Sequence, residues 1–170
     1  MIAITRLKCG IPISDIFFAS DIKEGTSTTP LCFFQQASTH HPNFKPVQTS
    51  AIDLTAPLEE ISSPISKNTR YKIQRAEREG FTPRLIMNPT TEEGSLYAHF
   101  YDAFAQHKGL PPCNRAKLGA LSTSSALLLS SISDVDGNLL SAHAYVKDEE
   151  VGRARLLYSA SHYRAMTDSG

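Results

Sequence analysis

ALLLSSISDVDGNLLSAHAYVKDEEVGRARLLYSAS, residues 126–161, decides the fold class. Three apolar-rich runs, 126–133, 139–147 and 151–161, are separated by the short turns Asp134-Val135-Asp136-Gly137-Asn138 and Asp148-Glu149-Glu150. The Asp136-Gly137 pair supplies the positive φ that a tight hairpin needs, so three consecutive antiparallel strands are expected. In the middle run Leu140, Ala142, Ala144 and Val146 alternate with Leu139, Ser141, His143 and Tyr145. Side chains alternate faces along a strand, and a helix should cover the first set.

Helices are marked upstream. Thr90 with Glu93 makes a capping box, and Leu96, Phe100, Ala103, Phe104 and His107 share a helical face before Gly109-Leu110-Pro111-Pro112 stops it. The aromatic members of that face read as core. Residues 114–121 predict a third, short helix and 81–87 a strand. Helices followed by an antiparallel meander give an α+β class.

The run SPISKNTRYKIQRAEREGF, residues 63–81, predicts one more helix. Ser63 stands as its N-cap, Pro64 where a missing N–H costs nothing, and Gly80 where a left-handed residue ends it. Ile65, Thr69, Ile73 and Ala76 form a narrow apolar stripe, with Lys67, Arg70, Gln74 and Arg78 opposite and Tyr71 and Arg75 beside them. Five Lys/Arg residues fall within twelve positions. They read either as a solvated face partly neutralised by Glu77 and Glu79 or as an anion site.

Residues 1–50 predict two strands, 11–19 and 31–35, buried on both faces or lying against a helix because their apolar runs are unbroken. The segment EGTSTTP lies between them, and 47–54 predicts one more short strand. His40 and His41 have no Cys, Asp or Glu nearby at a ligand spacing, so they read as a polar loop and not a zinc site.

With 170 residues, 41% of them hydrophobic and 20% charged, and 17 basic residues balanced by 17 acidic ones, one globular domain is expected. The residues near Met1 lack the uninterrupted apolar core of a signal peptide, and no run approaches the ~18 apolar residues of a membrane span. Three scattered cysteines, Cys9, Cys32 and Cys113, fit free thiols. A cytoplasmic address follows as the expectation. There is no Gly-x-Ser-x-Gly elbow, phosphate loop or dinucleotide fingerprint. Zero net charge and the lack of stacking aromatics along the basic helix argue against DNA binding.

KNTRYKIQRAEREG, residues 67–80, and LLYSASHYRAM, residues 156–166, resemble two signatures of the FemAB-like branch of the GNAT acyltransferase superfamily. The similarity extends from about residue 49 onward. It implies a GNAT-like mixed, largely antiparallel sheet flanked by helices. It also implies acyl or aminoacyl transfer from acyl-CoA or aminoacyl-tRNA to an acceptor amine, with no metal. A small molecule or a nucleotide-linked cell-wall precursor is the implied acceptor.

By this resemblance Tyr158, Ser159, Ser161, His162 and Tyr163 would line the reaction centre, with His162 as base or Tyr163 as acid. Lys67, Arg70, Arg75 and Arg164 would hold an anionic acceptor. Alternating strand residues also simply face core and solvent, and both readings stand at this point. After the strand, the family's Gly-rich turn and phosphate-binding helix are missing before Thr167-Asp168-Ser169-Gly170. The expectation is therefore a domain truncated before its donor-binding turn. The alternative is a noncatalytic binding or scaffold fragment whose unpaired last strand would self-associate.

Overall fold

The computed structural model describes residues 1–21, 29–39 and 41–162. In chain order the elements are β1 (Ile2–Lys8), β2 (Ile11–Phe17), β3 (Leu31–Gln35), α1 (Leu58–Ser62) and α2 (Lys67–Arg78). They continue with β4 (Thr82–Met87), α3 (Thr91–Lys108), α4 (Arg115–Thr123), β5 (Leu127–Ser133), β6 (Leu139–Asp148) and β7 (Arg153–Ser161). The class is α+β. No helix among the described residues is long and apolar enough to cross a membrane.

The sheet comes in two pieces. One has the order β1-β2-β3, with β1 antiparallel and β3 parallel to β2. The other has the order β4-β5-β6-β7 and is antiparallel throughout. A single core joins them. Ile4, Phe17 and Phe18 of the small sheet pack with Tyr97, Ala98, Leu118, Leu121, Leu127, Leu129, Ala144 and Val146. As the alternation requires, Ala142, Ala144 and Val146 point into this core, with α3 against β6 and β7.

Several boundaries follow their local signals. Thr90 Oγ1 accepts from the Glu93 N–H while Glu93 reaches back to the Thr90 N–H, completing the capping box. Gly109 ends α3 in the left-handed region at φ 65°. Asn114 caps α4 by accepting from the Lys117 N–H.

Other expectations are corrected. Ser63 is not the cap of the basic helix. It ends α1 in right-handed geometry, and Ser66 caps α2 by accepting from the Thr69 N–H. The core stripe of α3 is rotated from the one expected. Tyr97, Ala98, Tyr101 and Ala105 are buried, Phe100 and Phe104 lie at the margin, and Leu96 is exposed. Helix α3 turns its two bulky tyrosines toward the core between α4 and β7 and leaves the smaller Leu96 in solvent.

β3 is an edge strand with Leu31 and Phe33 half exposed, so its apolar run does not mean burial on both faces. Residues 47–54 form no strand, and Val47, Ile52 and Leu54 face solvent. β1 was not anticipated. Its signal is the Cys9-Gly10 pair, both at positive φ in a two-residue hairpin to β2.

A charged seam runs between the sheets. The Asp15 carboxylate on β2 accepts from Arg6 Nε at 2.6 Å, Lys117 Nζ at 2.9 Å and Gln35 Nε2 at 3.2 Å. Gln35 in turn accepts from Arg155 of β7 at 2.7 Å. Burial pushes the Asp15 carboxyl up, but hydrogen bonds from Arg6 and Lys117 outweigh it and hold the group below the usual carboxylate range. Every buried charge in this network has a partner, which such burial demands.

Candidate functional site

β7 is one edge strand of the large sheet, and its alternation divides the expected reaction-centre residues between two faces. Cross-strand pairing sets Tyr158 beside Ala144 and Ala160 beside Ala142, on the helix-covered face. Ser159 pairs with His143 and Ser161 with Ser141, on the opposite, open face. The four described candidates therefore do not converge on one point. Tyr163, Arg164 and His40 lie outside the described residues.

On the covered face, the Tyr158 ring packs at a tilt of 59° against Tyr101 with centroids 5.0 Å apart. Burial, with Cys113 alongside, pushes the Tyr158 hydroxyl up despite the Asn114 backbone N–H pulling the other way. Burial likewise pushes the Cys113 thiol up to about 11. These groups keep their protons at neutral pH and serve the core. Tyr97 Oη is buried there without a hydrogen-bond partner.

Beyond Tyr158 the strand reaches a cleft of about 160 Å³ lined by Phe100, Ala103, Phe104 and His107 of α3 together with Ser161 and His162. The His162 N–H donates to Leu140 C=O at 2.7 Å, which extends the ladder one residue past β7 and fixes the backbone there. An imidazole thus borders an apolar wall at the end of a pinned strand. Phe100 and Phe104, expected in the core, pack against its margin and line this cleft as well. The spacing Phe100, Phe104, His107 is the signal that they line one end of a helix face.

On the open face, Ser141 Oγ lies 3.1 Å from His143 Nε2 and also donates to Ala160 C=O. His143 Nδ1 is buried and makes no hydrogen bond. Burial holds the imidazole below its ordinary value, so it is neutral at pH 7. Ser141 was missed from sequence, although a Ser-x-His spacing in a strand places both on one face. With its one proton on the Ala160 carbonyl, the serine oxygen is an acceptor toward the imidazole. The neighbouring strand N–H groups are committed to the ladder and offer no oxyanion site.

The basic helix is separate. No residue of α2 is buried, and its cations stand in solvent. Arg75 pairs with Glu79 at 2.6 Å, and Arg78 lies 5.9 Å from the Tyr71 ring centroid. Lys67 and Arg70 have no ion-pair partner among the described residues. Pairing of Thr82 with Ser133, and of Ser141 with Ser161, puts the C-terminal end of α2 and the His162 cleft at the same end of the large sheet. They sit at opposite edges, with β4 and β7 about 14 Å apart at three strand spacings.

No set of three or more His, Cys, Asp or Glu side chains among the described residues is placed to hold a metal ion. Compared with known protein families and with curated proteins, the chain matches none.

Proposed function

We propose that the chain is an acyltransferase domain of the FemAB-like GNAT type, moving an acyl or aminoacyl group from an activated carrier to an acceptor amine. The observation that carries this reading is the cleft beside β7, where His162 meets the apolar wall of Phe100, Ala103 and Phe104. Acyl transfer asks for such a pairing: an apolar wall for the acyl group and a base within reach of the attacking nitrogen.

In this reading the amine nitrogen forms a bond to the acyl carbon and gives its proton to the His162 imidazole. The carbon–sulfur or carbon–oxygen bond to the carrier breaks, and the carrier leaves with that proton as thiol or hydroxyl. Lys67, Arg70 and Arg75 contribute by attracting an anionic acceptor, with arginine suited to bidentate phosphate contacts. The activated carrier enters as the donor substrate.

The test is single-turnover transfer of a labelled acyl group from acyl-CoA, and separately from aminoacyl-tRNA, to amine acceptors with and without a nucleotide diphosphate. Transfer that falls about 10²–10⁴-fold in His162→Ala supports the assignment. No transfer above buffer from either donor overturns it.

The separation of α2 from the cleft favours a second reading, a binding module without turnover. It predicts that a nucleotide-linked acceptor binds through Lys67, Arg70 and Arg75 while neither donor reacts.

A further inference from the structure

We propose that the cleft beside β7 receives a plain apolar acyl group of about six carbons or fewer and rejects an aminoacyl group, with Ala103 setting the length. This rests on the transfer reading above and narrows its donor. Size is the first ground. The cleft holds about 160 Å³, close to the ~150 Å³ of an apolar protein cavity that binds benzene. It does not continue inward. The Phe104 ring packs on Tyr101 with centroids 6.2 Å apart, and Tyr101 packs on Tyr158 at 5.0 Å, so a chain entering past Phe104 meets the core.

Ala103 controls the space that remains. Phe100, Ala103, Phe104 and His107 stand three or four positions apart along one face of α3, and the alanine side chain is the smallest of them. It is exposed within the lining. A longer side chain there would project into the cleft without disturbing the core.

Charge excludes the second donor. An aminoacyl group carries an α-amino nitrogen, protonated around neutral pH, beside its carbonyl. A cation drawn out of water needs a carboxylate or free carbonyls. Among the described residues the lining holds no carboxylate, and its polar members are His107, Ser161 and His162. Asp102, next to Ala103 on α3, is already engaged: it accepts from the Cys113 N–H at 2.7 Å and from Arg115. The carbonyls that end α3 are taken as well, Gln106 by the Gly109 N–H and Ala105 by the Leu110 N–H. A plain acyl chain asks for none of these partners.

The experiment titrates the chain with the N-methyl amides of acetic, butyric, hexanoic and octanoic acid. Norleucine N-methylamide, which adds only the α-amino group to the hexanoic probe, completes the set. NMR shifts of Phe104 and His162 report occupancy of the cleft. The dissociation constant should fall by up to about four-fold for each methylene as far as the hexanoic probe, and level off at the octanoic one. Norleucine amide should bind about ten-fold or more weakly than the hexanoic probe. Ala103→Leu should weaken the hexanoic probe about ten-fold relative to the acetic one, with circular dichroism unchanged. In turnover the same variant should lower the hexanoyl-to-acetyl ratio of kcat/KM. A flat length series overturns the proposal, as does affinity still climbing at the octanoic probe. So does norleucine amide binding as tightly as the hexanoic probe, or Ala103→Leu without effect. The amides have no leaving group, so the two readings fail separately. The expected profile without transfer from any donor removes the transferase reading alone, whereas transfer with a flat profile removes the size limit alone.

Discussion

The meander β5–β6–β7 and the helix α2 are marked equally clearly by local signals, yet the meander is built into the core and the helix is buried nowhere. Leu127 and Val146 are fully buried while Ile73 stays half exposed. Strand alternation with α3 and α4 against it supplies a closed apolar volume. The apolar stripe of α2 is one side chain wide, and none of its residues is buried. Capping and periodicity specify that an element forms, whereas the width of its apolar face decides whether it joins the core.

This contrast can be broken from either side. The largest effect is expected at the charged seam behind the meander. Asp15→Ala would leave Arg6 and Lys117 facing each other without their carboxylate, and should cost about 3–5 kcal/mol in denaturant unfolding. Leu127→Ala opens a cavity in the core and should cost about 2–5 kcal/mol. A loss under about 1 kcal/mol at Leu127 would mean that the meander is not the stable unit.

The two helix caps sharpen the contrast. Thr90→Ala removes the capping box of α3 and should cost about 1 kcal/mol of global stability. Ser66→Ala removes the same kind of bond from α2. It should leave the global value within about 0.5 kcal/mol, because a helix outside the core frays independently. Hydrogen exchange should show the α2 amides exchanging faster in the Ser66 variant while α3 is unchanged.

Smallest and most specific is a pH effect. His143 is held below its ordinary value, so the unfolded chain takes up this proton first as pH falls through about 6.5. Its stabilising share is present above that pH and is lost below it. Between pH 7.5 and 5.5 the chain should lose stability that His143→Gln keeps. Asp15 is also depressed, but as a carboxylate its contribution is lost only as pH falls below about 4. The two windows are therefore separable in melting curves measured against pH.

Much of this was legible in residues alone. The α+β class, the two turns of the meander, the capping box at Thr90 and Glu93, the stop at Gly109 and the left-handed Gly80 all arise from interactions within a few positions. Those interactions are written in the local sequence. The candidate region at Ser161 and His162 was legible to the same extent, as the end of a strand.

What only the tertiary structure decided depends on partners far apart in the chain. It split the sheet in two and rotated α3 so that Tyr97 and Tyr101, and not Leu96, entered the core. It put Tyr158 and Ser159 on opposite faces of β7, brought Ser161 and His162 to one cleft, and set Ser141 beside His143. It also left α2 outside the core. The physical reason is that hydrophobic burial is non-directional and is satisfied collectively. The face an element turns inward is therefore settled by the competing claims of every element around it, which no local pattern contains.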